Sequence, residues 1–490
     1  MLSSLLTLLL TAKPSSHIKG LLAENEIQRA GRLYLELLTT LRHLGGFYSV
    51  FDAYSVLCSQ LLTAKKSEYL RIPRGWLLEV LESITSKTNI SITRRSAGLP
   101  FCLLGVLCSE PNNPGANQEL MSTTMQRLLQ IASTPLPADF DHRVDLVQVH
   151  GFNMLRALFR NAILAQRILP HVEDGIILAI RGFSSSSWAI RNCSTMLFSV
   201  LLGRIFGINK NAEKAEESLS GREFFLRFQH LKPFLLSELR EAVAQLTENQ
   251  TRLVIHAGLY PVLTLLSRFS ISNLEGDTTL AEFVPLVVQC SSSAVLQVRE
   301  MASRALVPVL PTPMLISHCA EALAGALSSG QFRQNHLHGV LLQVRALLAG
   351  HLSKATGPEI LAGVKEQICP RLLTNIWIGS TANRCNVTRA AFLQLLSAVL
   401  VDNEWCVTLS DETMITALVR LARTELFEMT AAKSQVALYR VEELYTALLL
   451  TGVAPAHRCE TLIRLLQHPQ YEVRLTTYRR ALSFLDSLSR

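Results

Sequence analysis

The sequence predicts an all-α protein built as a HEAT/armadillo-like α-solenoid of roughly ten helix pairs. Three observations carry that reading. Apolar residues recur at helical spacing along nearly the whole chain, alternating Val/Thr-rich runs are missing, and an arginine-centred pattern returns at intervals that fit stacked helix pairs.

The helical stripes are explicit. Leu33, Leu37, Leu38, Leu41 and Leu44 form one, and Leu155, Leu158, Phe159 and Ala162 another. Pro73 and Pro233 are expected in first turns, where the missing N–H has no intrahelical partner to lose. Loops are expected at Glu110–Gln118, Ser133–Asp141, Asn209–Gly221 and Ser270–Thr279, each rich in Pro, Gly, Asn or charge. The third divides a basic helical-repeat region, 1–209, from continuing HEAT-like repeats in 210–490.

The recurring pattern places a small or β-branched residue, an arginine and an apolar helix after a turn. It appears at Thr93-Arg94-Arg95-Ser96-Ala97, Ile190-Arg191-Asn192-Cys193-Ser194, Val298-Arg299-Glu300-Met301-Ala302 and Val473-Arg474-Leu475-Thr476-Thr477. Ala, Ser or Thr follows the arginine by three positions, whereas Thr388-Arg389 has Phe392 there. The small residue lets neighbouring helices approach, and the arginine is expected to tie one repeat to the next in a polar ladder.

Composition narrows the class. Of 490 residues, 49% are hydrophobic and 18% charged, with a mean hydropathy of +0.25, which excludes a disordered chain. The apolar runs Phe101–Cys108, Met196–Leu202 and Ala447–Val453 end too soon to cross a membrane. Met1–Leu10 has no preceding positive charge and reads as a buried helix cut from a longer array rather than a signal peptide. Ten scattered cysteines form no CxxC pair, which points to a reducing compartment, taken as the cytoplasm. The Asn-x-Ser/Thr sequons at Asn89, Asn192, Asn249 and Asn386 carry no meaning there.

The net charge of +8 is uneven. Residues 1–209 hold 20 basic and 14 acidic side chains, leaving +6, while the rest of the chain keeps only +2. A basic half beside a near-neutral half fits an anionic partner on the first half; solvated surface arginine explains the same numbers.

Signatures of catalysis are missing: no GxGxxG after a strand, no Walker A sequence, no HExxH and no GxSxG. His336 and His338 stand two apart, on different helix faces, which fits packing or a partner contact better than a metal site. No cofactor or metal is expected.

Four segments go beyond generic repeat character. They are Arg94-Arg95-Ser96-Ala97-Gly98-Leu99-Pro100; Val149–Arg160 continuing through Trp188-Ala189-Ile190-Arg191-Asn192-Cys193-Ser194; Arg299–Leu306; and Asn335-His336-Leu337-His338-Gly339-Val340-Leu341-Leu342-Gln343. In this order they resemble the thyroid adenoma-associated protein family, whose members include the fungal subunit that assists a tRNA ribose methyltransferase. Members are several times longer, so the chain reads as a central-to-C-terminal piece.

The resemblance implies a non-catalytic subunit that presents tRNA to a SAM-dependent 2′-O-ribose methyltransferase acting on the anticodon loop. It also implies that Arg94, Arg95, Ser96, Ala97, Gly98, Leu99 and Pro100 form the functional motif. Chemistry supports that assignment: two guanidinium forks can pair with phosphates, Ser96 can donate to a phosphate oxygen, and Ala97-Gly98 leave room for close backbone approach. Pro100 is expected to stiffen or end the local helix. The competing reading makes one arginine a ladder residue and Gly98-Leu99-Pro100 a kink. Trp188, Arg191 and Asn192 form a secondary candidate, with Trp188 able to stack on a base or fill a core. Asn335 and His338 are further candidates. A protein-only scaffold without a nucleic-acid role is the alternative function.

Overall fold

The computed structural model describes residues 24–41, 43–64, 67–85, 98–111, 119–136, 146–207, 219–248, 255–272, 278–328, 333–351, 358–401, 412–428, 440–446 and 458–488. Apart from one isolated bridge between Ser220 and Ser270, these residues form helices and their connections. The chain divides into two compact units, Met1–Asn211 and Ala212–Arg490.

The first unit runs α1 (Glu24–Thr40), α2 (Leu44–Leu62), α3 (Ser67–Thr85), α4 (Leu99–Leu107), α5 (Glu119–Ala132), α6 (Val147–Arg160), α7 (Val172–Gly182) and α8 (Trp188–Phe206). Helices α2, α4, α6 and α8 stack as one row, and the odd-numbered helices pack against them. Specific contacts fix the row as parallel. The Phe47 and Phe101 rings meet, centroids 4.8 Å apart, near the N-termini of α2 and α4. Arg167, just past α6, donates to the Leu107 carbonyl at the end of α4 (2.6 Å), and Arg204 of α8 reaches the end of α6. All four N-termini therefore lie along one edge.

The second unit comprises α9 (Gly221–Arg227), α10 (Leu231–Glu248), α11 (Leu259–Leu266), α12 (Val284–Gln289), α13 (Leu296–Val309), α14 (Leu315–Ser328), α15 (Gln334–His351) and α16 (Pro358–Gly363). It continues with α17 (Cys369–Thr374), α18 (Asn386–Val401), α19 (Glu412–Arg423), α20 (440–446), α21 (Arg458–Leu466) and α22 (Tyr471–Leu488). Here α11, α13, α15 and α18 form the row. Among the described residues no single helix is long and apolar enough to cross a membrane. Cys58, Cys102, Cys290 and Cys319 are buried, and burial pushes their thiols up to about 12, so they pack as inert apolar groups.

The recurring arginine has a job beside the expected one. Arg191 Nη1 donates to the carbonyls of Ser185 and Ser186 (2.7 and 2.9 Å). Arg299 Nη1 does the same to Ser293 and Ala294 (2.6 and 3.2 Å), and Arg474 Nη1 to His468 and Pro469 (2.6 and 2.9 Å). Each reaches back six and five residues. The guanidinium thus staples the turn that enters its own helix, satisfying carbonyls the turn leaves open. Arg389, in the repeat that departs in sequence, bonds Gly379 O instead at 3.3 Å. The small residue three positions on behaves as expected: Ser194, Ala302 and Thr477 are fully buried between helices.

Arg299 also ties its helix to the next of the row, through Asn335 and His338; further ties come from residues the sequence did not mark. Arg167, also paired with Glu110, and Arg204 cap the C-termini of α4 and α6, and His351 Nε2 lies 2.9 Å from Val307 O near the end of α13. The two arginines suit helix C-termini because the last carbonyls are unsatisfied and carry partial negative charge, whereas burial lowers the His351 imidazole and leaves it a neutral donor. Pro73 also departs from expectation. It is the seventh residue of α3, not a first-turn residue, and sits buried with Ile72, Trp76 and Leu77. Pro233 is the third residue of α10, as expected.

Candidate nucleic-acid interface

The described helices of the first unit are electrically neutral. Up to residue 209 they hold eleven basic and eleven acidic side chains, so the surplus of +6 lies wholly in segments outside the described residues: Lys13, Lys19, Arg42, Lys65, Lys66, Lys87, Arg94, Arg95 and Arg143 against Asp139, Asp141 and Asp145. Arg42, the pair Arg94-Arg95 and Arg143 each stand in sequence just ahead of a helix of the parallel row, α2, α4 and α6. Helix N-termini carry partial positive charge, so the edge where that row begins favours anions.

Of the expected motif, Arg94, Arg95, Ser96 and Ala97 lie outside the described residues. Gly98, Leu99 and Pro100 are buried and start α4. Gly98 is the N-cap residue, and a Cβ there would overlap the carbonyl oxygen of Leu38 in α1. The glycine gives close backbone approach to α1, not an opening for a ligand backbone. Pro100 occupies the second helical position, so it begins the helix rather than ending it. These three residues anchor the point at which Arg94–Ala97 enter the fold.

An aromatic cluster stands beside that anchor. Phe101 meets Phe47 and Phe51 edge to face, at 4.8 and 5.3 Å, and Tyr48 at 6.4 Å. Leu44 and Tyr48 are 72% and 52% exposed, and Phe47, Phe51 and Phe101 are half-buried. Sequence reasoning missed this cluster because its members come from two helices about fifty residues apart.

Trp188 is the first residue of α8 and is 68% exposed, so it fills no core. Arg191 and Asn192 are half-buried, and Arg191 spends one guanidinium nitrogen on its turn. The same turn lines a cleft of about 670 Å3, whose walls include Gln130, Ser133, Asp174, Ile177, Arg181 and Ser186.

In the second unit Arg299, Asn335 and His338 converge. Arg299 Nε donates to His338 Nδ1 (3.1 Å) and Nη1 to Asn335 Oδ1 (3.0 Å), joining α13 to α15. His338 is buried, and burial with the adjacent guanidinium lowers its imidazole to about 4, so it is a neutral acceptor. His336 faces elsewhere, 2.9 Å from Ser292 Oγ. A Cβ at Gly339 would overlap Ser291 O, so α15 packs closely on the turn ahead of α13. Arg299 and His338 are buried in this constellation, and Asn335 stands exposed at its edge.

Comparison with known proteins gives these features a family. The family description "THADA/TRM732, DUF2428" matches residues 1–189, and "Trm732, C-terminal TPR repeats" matches 191–347. The chain is 35% identical over 407 residues to a tRNA (32-2'-O)-methyltransferase regulator THADA of Gallus gallus, covering 81% of this chain and 21% of that one. The Homo sapiens protein of the same name is 34% identical over 77% of this chain and 20% of its own length. The tRNA (32-2'-O)-methyltransferase regulator trm732 of Schizosaccharomyces pombe is 32% identical over 82% of this chain and 26% of its own. The chain thus spans about a fifth to a quarter of these relatives. It belongs to the THADA/Trm732 family of all-helical repeat proteins.

Proposed function

We propose that this chain acts as a non-catalytic regulatory part of a tRNA 2'-O-ribose methyltransferase system, with its first unit contacting tRNA. The relatives it matches are named as regulators of such an enzyme, not as the enzyme. The observation that carries the tRNA contact is charge along the sequence: residues 1–209 hold a surplus of +6 and the rest of the chain +2, and Arg42, Arg94-Arg95 and Arg143 stand in sequence just ahead of helices of the parallel row. Phosphates would meet guanidinium and ammonium groups whose sequence positions fall ahead of helices that begin along one edge. The methyl transfer itself would belong to a SAM-dependent partner subunit. Free, buried thiols suit a reducing compartment such as the cytoplasm.

The test is binding of total tRNA to the chain at low and moderate salt, with Arg94→Ala/Arg95→Ala alongside. Removing two phosphate contacts should weaken binding and lower the slope of log K against log salt by about 1.8 for a duplex region, or about 1.4 for a single strand. Folding should be untouched. A folded wild-type chain that ignores tRNA would favour the protein-only scaffold.

A further inference from the structure

We infer that the edge of the second unit where α13, α15 and α18 begin binds an RNA phosphate backbone, with Arg333 and Arg384 as the residues that meet it. The inference rests on the tRNA reading above and adds a contact in the second unit to the one proposed for the first.

Hydrogen bonds place the three helix starts side by side. Arg299 of α13 reaches Asn335 at the start of α15, and Gln334 Nε2 donates to Asn383 Oδ1 in the turn before α18 at 3.1 Å. Thr388 Oγ1 of α18 donates back to Gln334 O at 3.5 Å. Arg333 directly precedes Gln334 and Arg384 directly follows Asn383, so the two arginines flank one hydrogen bond. Both are exposed, and among the described residues neither is held in a hydrogen bond or an ion pair. Beside them Ser292 and Asn335 are exposed, and His336 Nδ1 lies 2.9 Å from Ser292 Oγ. Burial and then Arg333 lower the His336 imidazole, so it is neutral. Hydroxyl, amide and imidazole groups can all partner a phosphate oxygen.

Charge decides what covers this edge, and the groups that carry it all lie among the described residues. Residues 290–300, 333–338 and 376–390 hold Arg299, Arg333, Arg384 and Arg389 against Glu300 alone, a surplus of +3. Arg299 is buried and bonds neutral acceptors: the carbonyls of Ser293 and Ala294, Asn335 Oδ1 and His338 Nδ1. Its charge is screened little by solvent and adds to the field of the exposed pair. The large apolar side chains exposed here, Leu296 and Val387, sit on α13 and α18 with α15 between them. The edge therefore lacks the central apolar anchor on which protein interfaces depend. A polyanionic strand needs no such anchor. It needs cations at intervals, and neighbouring row helices set them about 8–10 Å apart.

The experiment measures binding of the whole chain to a tRNA transcript between about 50 and 200 mM salt. Arg333→Gln/Arg384→Gln removes two phosphate contacts, so the slope of log K against log salt should fall by about 1.4–1.8. Wild type should then lose about 7- to 12-fold more affinity than the variant across that range. Arg333→Lys/Arg384→Lys keeps both charges and should keep the slope. Thermal melts of all three should match, because neither side chain is bonded in the fold. If the glutamine variant binds with the wild-type slope, the inference is overturned while the tRNA reading stands. If that variant keeps tRNA but loses binding to polyglutamate, the edge docks acidic protein and the inference is likewise overturned. A fall in slope for the glutamine variant with none for Arg94→Ala/Arg95→Ala supports this edge and removes the first-unit contact. A wild-type chain that binds no tRNA overturns both.

Discussion

The guanidinium of Arg204 donates to the main-chain oxygen of Phe159 from both Nε and Nη2, at 3.0 and 2.8 Å, and Nη2 also reaches Asn161 O at 2.6 Å. One side chain of α8 thereby closes the C-terminus of α6, one repeat earlier. Arg204→Met keeps the stem's packing but leaves those carbonyls without their cation. It should destabilise the first unit by about 1.5–3 kcal/mol, the usual worth of hydrogen bonds to a charged donor. Urea denaturation of the variant beside Arg204→Lys checks this; lysine should recover only part, having no fork to span two carbonyls.

Gly98→Ala should separate the two halves of the Arg94–Pro100 segment. A methyl group at Gly98 would meet the carbonyl of Leu38, and forcing it into that packed junction should cost about 1–3 kcal/mol. A lower melting temperature is expected for Gly98→Ala and none for Arg94→Ala/Arg95→Ala. Equal melting losses in both variants would make the arginines structural.

Helical repeats were legible because every helix must bury one stripe, and stripes repeat in sequence as they do in space. The small residues at Ser194, Ala302 and Thr477 were legible for the same reason. The partners of the arginines were not. Arg191 and Arg474 reach main-chain carbonyls, which every residue has, so sequence cannot tell a turn staple from a ladder. Trp188 shows a second limit: its helix is apolar, but at the first position it projects past the neighbouring helices into solvent. The Phe47–Phe101 junction shows a third, since only the stacking of α2 on α4 brings the rings together.

His338 makes the second unit sensitive to acid. Its imidazole is lowered from 6.5 to about 4 by burial and by Arg299. The unfolded chain therefore takes up the proton first as pH falls. The stability His338 contributes is complete above about pH 6.5 and is lost as pH falls through 4, at about 1.4 kcal/mol per unit within that window. His338→Gln should flatten this acid limb in denaturant midpoints measured from pH 7 to 4, at the expense of some stability at pH 7 because the amide oxygen does not sit where Nδ1 accepts from Arg299.

Glu442 has the opposite dependence. Its side chain is fully buried, Oε1 accepts from Thr477 at 2.9 Å and from Thr446 at 3.3 Å, and Oε2 has no hydrogen-bond partner. Burial, with Glu443 adding repulsion, pushes the carboxyl up to about 8, although Arg480 and the two hydroxyls pull the other way. The folded state thus holds a proton that the unfolded chain releases near 4.5. This contribution to stability is complete below about pH 4.5 and is lost as pH rises through 8. Glu442→Gln keeps the shape and a neutral side chain, so α20 and α22 should stay joined at alkaline pH. Hydrogen exchange at pH 9 should show faster opening of α22 in wild type than in Glu442→Gln, with the difference fading toward pH 5. Equal exchange at pH 9 would mean that Glu442 is ionised in the fold, held by Arg480 and the Thr446 and Thr477 hydroxyls.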